Sequence, residues 1–281
     1  MDLLEKIQNC SETEIDQIIS EAIKQAEDNC QKEEMLGFCS NVQKNISHKG
    51  FISLTTQIRF SNYTMNSYSM KTTDYFYDFA RYIKKRNITN KGNLIKIIEN
   101  YINIYFGINT KEGDFRDDYF DQIAFQSTTT DEEYFAKLAT IELGNLKGKN
   151  IAMCTERAAM AQNLLSLFGI DSYYCMGCVN NAGHEEPHCF NIAKAKDCYR
   201  LLDYSIPCPI IKNNVVIDYA PFQGNIEFDN LEDVMQNNLV NSFDNYEYVI
   251  LPEGIKKIPT GDKRAYVVGE FALATKHPSR T

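Results

Sequence analysis

Near the start of the chain, apolar residues recur with a helical period: Ile15, Ile18, Ile19, Ala22, Ile23 and Ala26 follow Ser11 and Glu14. Ser11 and Glu14 have the spacing of a capping box, which satisfies backbone N–H groups at a helix start, so this is the clearest helix expected. A second helix is expected around 31–45. The β-branched and aromatic residues from Phe51 to Ile58 predict a strand. Tyr75, Phe76, Phe79, Ala80 and Ile83 mark another helix, and one more runs from about Asn93 to Phe106. The aromatic run Tyr75, Phe76, Tyr77 and Phe79 reads as core rather than as a binding platform.

Beyond a polar stretch near 107–118, a helix is expected around 131–143, ending at the turn-rich Gly144-Asn145-Leu146-Lys147-Gly148. The next helix begins close to Cys154, carries Ala158, Ala161, Leu164, Leu165 and Phe168, and stops at Gly169. The period then changes to that of strands: Ile170–Val179, His188–Ala193 and Cys198–Tyr204, with later candidates at Val215–Tyr219, Tyr246–Leu251 and Ala265–Val268. The pattern predicts an α+β fold, a helical N-terminal half followed by one helix packed on an antiparallel sheet. It divides at about 110 into a mainly helical region, 1–110, suited to recruiting a substrate, and a catalytic core, 111–281.

Composition narrows the function classes. A net charge of −9 speaks against nucleic acid as partner, because phosphate binding draws on clustered Lys and Arg. The short basic run Arg81, Lys84, Lys85 and Arg86 is expected on the solvated side of a helix. No apolar run approaches membrane-spanning length, so no membrane partner is expected. Met1-Asp2-Leu3-Leu4-Glu5-Lys6 lacks the form of a signal peptide, and nine scattered cysteines suggest free thiols, which together give a cytoplasmic expectation.

The candidate chemistry lies between 149 and 206. A thiol becomes a good nucleophile when its thiolate is stabilised, a base is near and substrate has access. Cys154 falls at an expected helix N-terminus, where unpaired N–H groups and the helix dipole favour negative charge. His188 follows 34 positions later on an expected strand, and Asp203 another 15 positions on, at the end of the next strand. If those strands form a hairpin, Asp203 holds one ring nitrogen of His188 while the other faces the thiol.

The order Cys154-Thr155-Glu156-Arg157-Ala158-Ala159, Leu167-Phe168-Gly169-Ile170, Tyr174-Cys175-Met176-Gly177, His188-Cys189-Phe190-Asn191 and Leu202-Asp203-Tyr204-Ser205 resembles the transglutaminase-like superfamily of papain-type cysteine enzymes. The resemblance implies a transglutaminase-like or papain-like core with Cys154, His188 and Asp203 as catalytic triad. It implies a peptidase or amidase that acts on a protein or peptide substrate through a thioester. The chain departs from the family at Ala152, Phe190 and Leu201 and has no tryptophan, so substrate class does not carry over. No cofactor and no metal are expected.

The Cys154 N–H is one expected oxyanion donor, and Gln126 is the candidate for a second. Asn191 is expected on the same strand face as His188, as a support. Glu156 and Arg157 leave two readings open. One has a dipole-complementing acid and a surface ion pair; the other has a buried brace or a substrate-carboxylate contact through Arg157. Cys189 reads as core. A zinc site from Cys175, Cys178, His184 and His188 is a rival reading, weakened because residues three apart on a strand face opposite ways. His184, Glu185 and Glu186 then read as a solvated loop. Two functional alternatives remain: an arylamine-acetyltransferase-like, CoA-dependent acyl transfer, and a catalytically silent domain that binds a partner protein. Oligomeric state is not legible.

Overall fold

The computed structural model describes residues 2–33, 42–43, 51–53, 64–66, 74–107, 143–195, 198–226, 240–251 and 254–268. These form a mixed α and β fold. Helices α1 (Leu3–Asn9), α2 (Ile15–Glu33), α3 (Asp74–Lys85) and α4 (Lys91–Phe106) come first, with short strands β1 (Val42–Gln43), β2 (Phe51–Ser53) and β3 (Thr64–Asn66) between α2 and α3. A 3-10 turn at Leu143–Leu146 precedes α5 (Cys154–Leu167). Six long strands follow: β4 (Ser172–Asn181), β5 (His184–Ala195), β6 (Cys198–Lys212), β7 (Val215–Ile226), β8 (Val240–Leu251) and β9 (Gly254–Val268).

Local chemistry sets the helix ends. Glu14 reaches back to Ser11, accepting from both its backbone N and its Oγ at 2.7 Å, so one side of the expected capping box forms and α2 starts at Ile15. The Asn90 side chain caps α4 through Asn93 N at 2.8 Å. Gly169, at φ 65°, ends α5 in the left-handed region, and Lys91 Nζ donates to its carbonyl at 2.9 Å.

Two expectations change, at Val42–Gln43 and at His184–Glu186, and two others fall partly outside the described residues. Val42 and Gln43, placed in a helix by the sequence pattern, are extended and pair with Cys175 and Tyr174 of β4, which supplies the hydrogen bonds a helix would have made. Of the strand expected from Phe51 to Ile58, Phe51–Ser53 pairs with Thr64–Asn66 and the rest lies outside the described residues. The helix expected around 131–143 also lies outside them, apart from Leu143 in the 3-10 turn. His184–Glu186 are strand rather than loop: β5 begins at His184, and the hairpin turns at Ala182 and Gly183, both at positive φ.

The main sheet runs β7-β6-β5-β4-β9-β8, antiparallel throughout, with β1 added beside β4. One face carries α5, whose residues from Glu156 to Leu165 are all buried between the sheet and the N-terminal helices. A single apolar cluster extends from Leu4 through Phe79, Ile98 and Leu165 to Tyr174 and Leu202. Thus α1–α4 share their core with α5, while the expected division near 110 falls outside the described residues.

The other face carries a second cluster built on Cys175, Phe190, Ile192, Leu201 and Tyr266. Phe222 of β7 and Phe243 of β8 meet over it with ring centroids 5.7 Å apart, although their strands stand at opposite ends of the sheet order. The sheet therefore curls towards an open barrel. A Cβ at Gly224 would lie 2.2 Å from the Phe243 ring, so glycine is what allows that approach.

The basic run lies on the solvated side, as expected, with Lys85 and Arg86 exposed, and three of its residues also make contacts. Lys84 Nζ donates to three carbonyls at the end of α1, those of Ile7, Gln8 and Cys10, at 2.9, 3.1 and 2.7 Å. Arg86 pairs with Asp218 at 2.7 Å, and Arg81 pairs with Asp16. These contacts tie α3 to its neighbours. No helix among the described residues is long and apolar enough to cross a membrane.

Candidate functional site

The site forms where β5 and β6 separate. Their pairing covers Asn191–Ala195 against Cys198–Leu202 and stops there. Past that point, His188 of β5 and Asp203 of β6 meet across the gap, and β6 bulges between Asp203 and Pro207. Both side chains belong to the face with the second cluster, whereas α5 packs on the other. Because Cys154 is the first residue of α5, its sulfur lies on the His188 side of the gap, near enough for the imidazole to lower the thiol's pKa.

His188 Nε2 lies 2.8 Å from Asp203 Oδ2, with side-chain exposures of 9% and 0%. That contact leaves Nδ1 for the thiol. Asp203 is fully engaged: Oδ2 also accepts from Tyr266 Oη at 2.6 Å, and Oδ1 accepts from the Ser205 backbone N at 3.0 Å and from its hydroxyl. Ser205 Oγ also lies 3.3 Å from His188 Nε2. The His188 ring stacks with Phe190 at 6.5 Å and leans on Tyr266 at 5.9 Å, which limits its rotation.

Electrostatics follow from these contacts. Burial alone would raise the Asp203 pKa, but the imidazolium, Ser205 and Tyr266 together bring it down to about 2. Burial opposes charging His188, yet the Asp203 charge and hydrogen bond, reinforced by Cys154, push it up to about 10. Burial and the Asp203 charge hold Tyr266 well above the usual tyrosine range, so it stays a donor. Cys154 is held well below the usual cysteine range, first by the Cys189 S–H and then, against burial, by His188. The site thus favours a thiolate–imidazolium pair.

The helix start adds to this. Met153 at the N-cap has no side-chain oxygen with which to occupy the first-turn donors, so these remain available to a negative sulfur. Glu156, fully buried, accepts from Met153 N at 2.9 Å and fixes the entry into α5. Arg157 is not at the surface. It is 4% exposed, and it donates to the Ala152 carbonyl at 3.2 Å, to Asn103 Oδ1 at 2.8 Å and to the Gly107 carbonyl. The pair braces the N-terminal end of α5 against the end of α4, which is the buried-brace reading.

Asn191 does not share a face with His188. It lies an odd number of residues away, so strand alternation turns it towards α5. There Nδ2 donates to the Ala158 carbonyl at 3.1 Å and to Gln162 Oε1 at 3.2 Å, while Gln162 Nε2 donates to the Ser172 carbonyl at 3.0 Å. This chain of amides fixes α5 on β4 and β5. The same alternation brings Cys189, read from sequence as core, against the first turn of α5, where it is half-buried beside Cys154. Gln126 lies outside the described residues.

Cys175, Cys178, His184 and His188 do not converge. Cys175 is buried in the second cluster, His184 is exposed at the hairpin end, and His188 is held by Asp203. Among the described residues, no group of three His, Cys, Asp or Glu side chains is placed to hold a metal ion.

Sequence reading missed Tyr266 and Ser205. Ser205 stands two residues after Asp203 and so was open to recognition as a local turn bond. Tyr266 was not, because its contact depends on β9 lying beside β4. A cleft of about 580 Å³ lies between β7 and β8, and its walls Phe222 and Phe243 stand against Tyr266.

No protein-family model matches the chain, and no curated protein matches it significantly. The resemblance to transglutaminase-like enzymes therefore rests on the ordered residues themselves.

Proposed function

We propose that this protein is a transglutaminase-like cysteine enzyme that cleaves a peptide or side-chain amide through a thioester on Cys154. The observation that carries the reading is the 2.8 Å contact from His188 Nε2 to a buried Asp203 carboxylate, beside a helix N-terminal thiol whose pKa the imidazole helps to lower.

In this reading the Cys154 thiolate attacks the amide carbonyl, and the oxyanion gathers on the Cys154 backbone N–H. The His188 imidazolium gives its proton to the departing amine as the C–N bond breaks, leaving a thioester. Neutral His188 then takes a proton from water, whose oxygen attacks the thioester carbonyl. The C–S bond breaks, the carboxylic acid departs, and Cys154 returns as the thiolate beside protonated His188. Asp203 keeps the imidazole oriented throughout and stays ionised. Hydrolysis is favoured over crosslinking because water needs no acceptor site of its own.

The reading is tested with an activated acyl ester. The full chain should release the phenol in a burst equal to its own concentration, and mass spectrometry should place one acyl group on Cys154. No burst, or acyl groups spread over several thiols, would overturn the proposal in favour of a domain that only binds a partner.

A further inference from the structure

Cys189 has a place that the amide chemistry does not use. It accepts from Thr155 Oγ1 at 3.6 Å, and the same hydroxyl lies 4.0 Å from Cys154 Sγ. Two half-buried thiols thus share one hydroxyl at the first turn of α5. Cys175, by contrast, is fully buried on the other face of the sheet.

We propose that Cys154 and Cys189 form a peroxide-driven reversible disulfide, with Cys154 as the oxidised thiol and Cys189 as the resolving one. The proposal rests on the reading of Cys154 as a nucleophile. In the first step the Cys154 thiolate attacks one oxygen of hydrogen peroxide. An S–O bond forms, the O–O bond breaks, and hydroxide leaves, giving a sulfenic acid. In the second step the Cys189 sulfur attacks Cys154 Sγ. An S–S bond forms, the S–O bond breaks, and the Cys189 proton leaves with the sulfenic oxygen as water. The two sulfurs lose two electrons, and peroxide gains them. A dithiol reductant reverses the reaction by exchange.

The order of steps follows from the surroundings. Hydrogen bonding to Cys154 and burial hold Cys189 well above the usual cysteine range, so it remains a thiol while Cys154 is the thiolate that meets peroxide. Both sulfurs sit against the one Thr155 hydroxyl, and the disulfide forms when they close on each other to about 2.05 Å. The disulfide removes the nucleophile from His188 and also shields it from irreversible sulfinic acid formation.

The test treats the full reduced chain with hydrogen peroxide, blocks free thiols, digests without reductant and maps the peptides by mass spectrometry. Iodoacetamide labelling of Cys154 near pH 6 is measured before oxidation, after it, and after dithiothreitol. The proposal predicts a Cys154–Cys189 linked peptide, loss of Cys154 labelling, and its return on reduction. Cys189→Ser should instead carry sulfinic acid on Cys154, and its labelling should not return. If that variant does not fold, the wild-type peptide map decides alone. Fast labelling of Cys154 with no Cys154–Cys189 link after peroxide overturns the disulfide and leaves the nucleophile standing. A Cys154 that neither labels nor oxidises overturns both.

Discussion

Tyr266 donates to Asp203 Oδ2 at 2.6 Å, the same oxygen that takes His188 Nε2 at 2.8 Å. The two residues are 63 positions apart, and they meet because β9 lies beside β4 in the sheet. A buried carboxylate is tolerated when its lone pairs are filled, and here donors from two residues besides His188 fill them.

Tyr266→Phe keeps the ring and removes that donor. Losing a hydrogen bond to a charged group destabilises a fold by about 1.5–3 kcal/mol. The Asp203 pKa is depressed to about 2, so its contribution is present above the ordinary carboxylate pKa and is lost as pH falls towards about 2. With a weaker depression the contribution shrinks, and acid unfolding begins at higher pH than in wild type. Circular dichroism against pH reads this directly.

Asp203→Asn keeps the size of the side chain but removes the charge that holds His188 protonated near neutral pH. Cys154 alkylation should fall by about 10²–10⁴-fold, the range of a positioned acid–base group. Rates measured at neutral pH, with the fold checked by circular dichroism, decide the point.

Glu99 is fully buried beside Arg157, and its Oε2 has no hydrogen-bond partner among the described residues. Burial outweighs Arg157 and Asn103 and raises its pKa to about 8. The folded state therefore holds a proton that the unfolded chain has lost, and stability drops as pH rises from about 4.5 to about 8. Glu99→Gln should flatten that decline, as read from urea unfolding at several pH values.

Arg157→Ala leaves the Ala152 and Gly107 carbonyls without their donor and removes the charge facing Glu99. Leaving a buried acceptor without its donor destabilises by about 1–3 kcal/mol. The thermal midpoint should fall, and Cys154 labelling should slow even where the chain remains folded, because the brace sets where α5 begins.

Helices α2 to α5 and the order of the candidate site were legible because both are local, whereas α1 was not foreseen. Cys154 opens α5 and Gly169 closes it, and a Cys, His and Asp on successive elements define an order without a three-dimensional map. What depended on strand alternation was harder: Asn191 and Cys189 both turn towards α5, and only the sheet shows that this face meets the helix that carries Cys154. Pairing between distant strands was not legible at all, so Tyr266 escaped notice. The same is true of the Phe222–Phe243 contact that curls the sheet. Arg157 was left between two readings because its partners, Asn103 and Gly107, come from α4 and its C-terminal cap.

The most direct test of the nucleophile is the alkylation rate of each of the nine cysteines against pH, mapped by mass spectrometry in wild type and His188→Ala. The account predicts that Cys154 reacts far faster than the other thiols near pH 6 and that His188→Ala removes this advantage. A wild-type Cys154 that labels as slowly as a buried, ordinary thiol would contradict it.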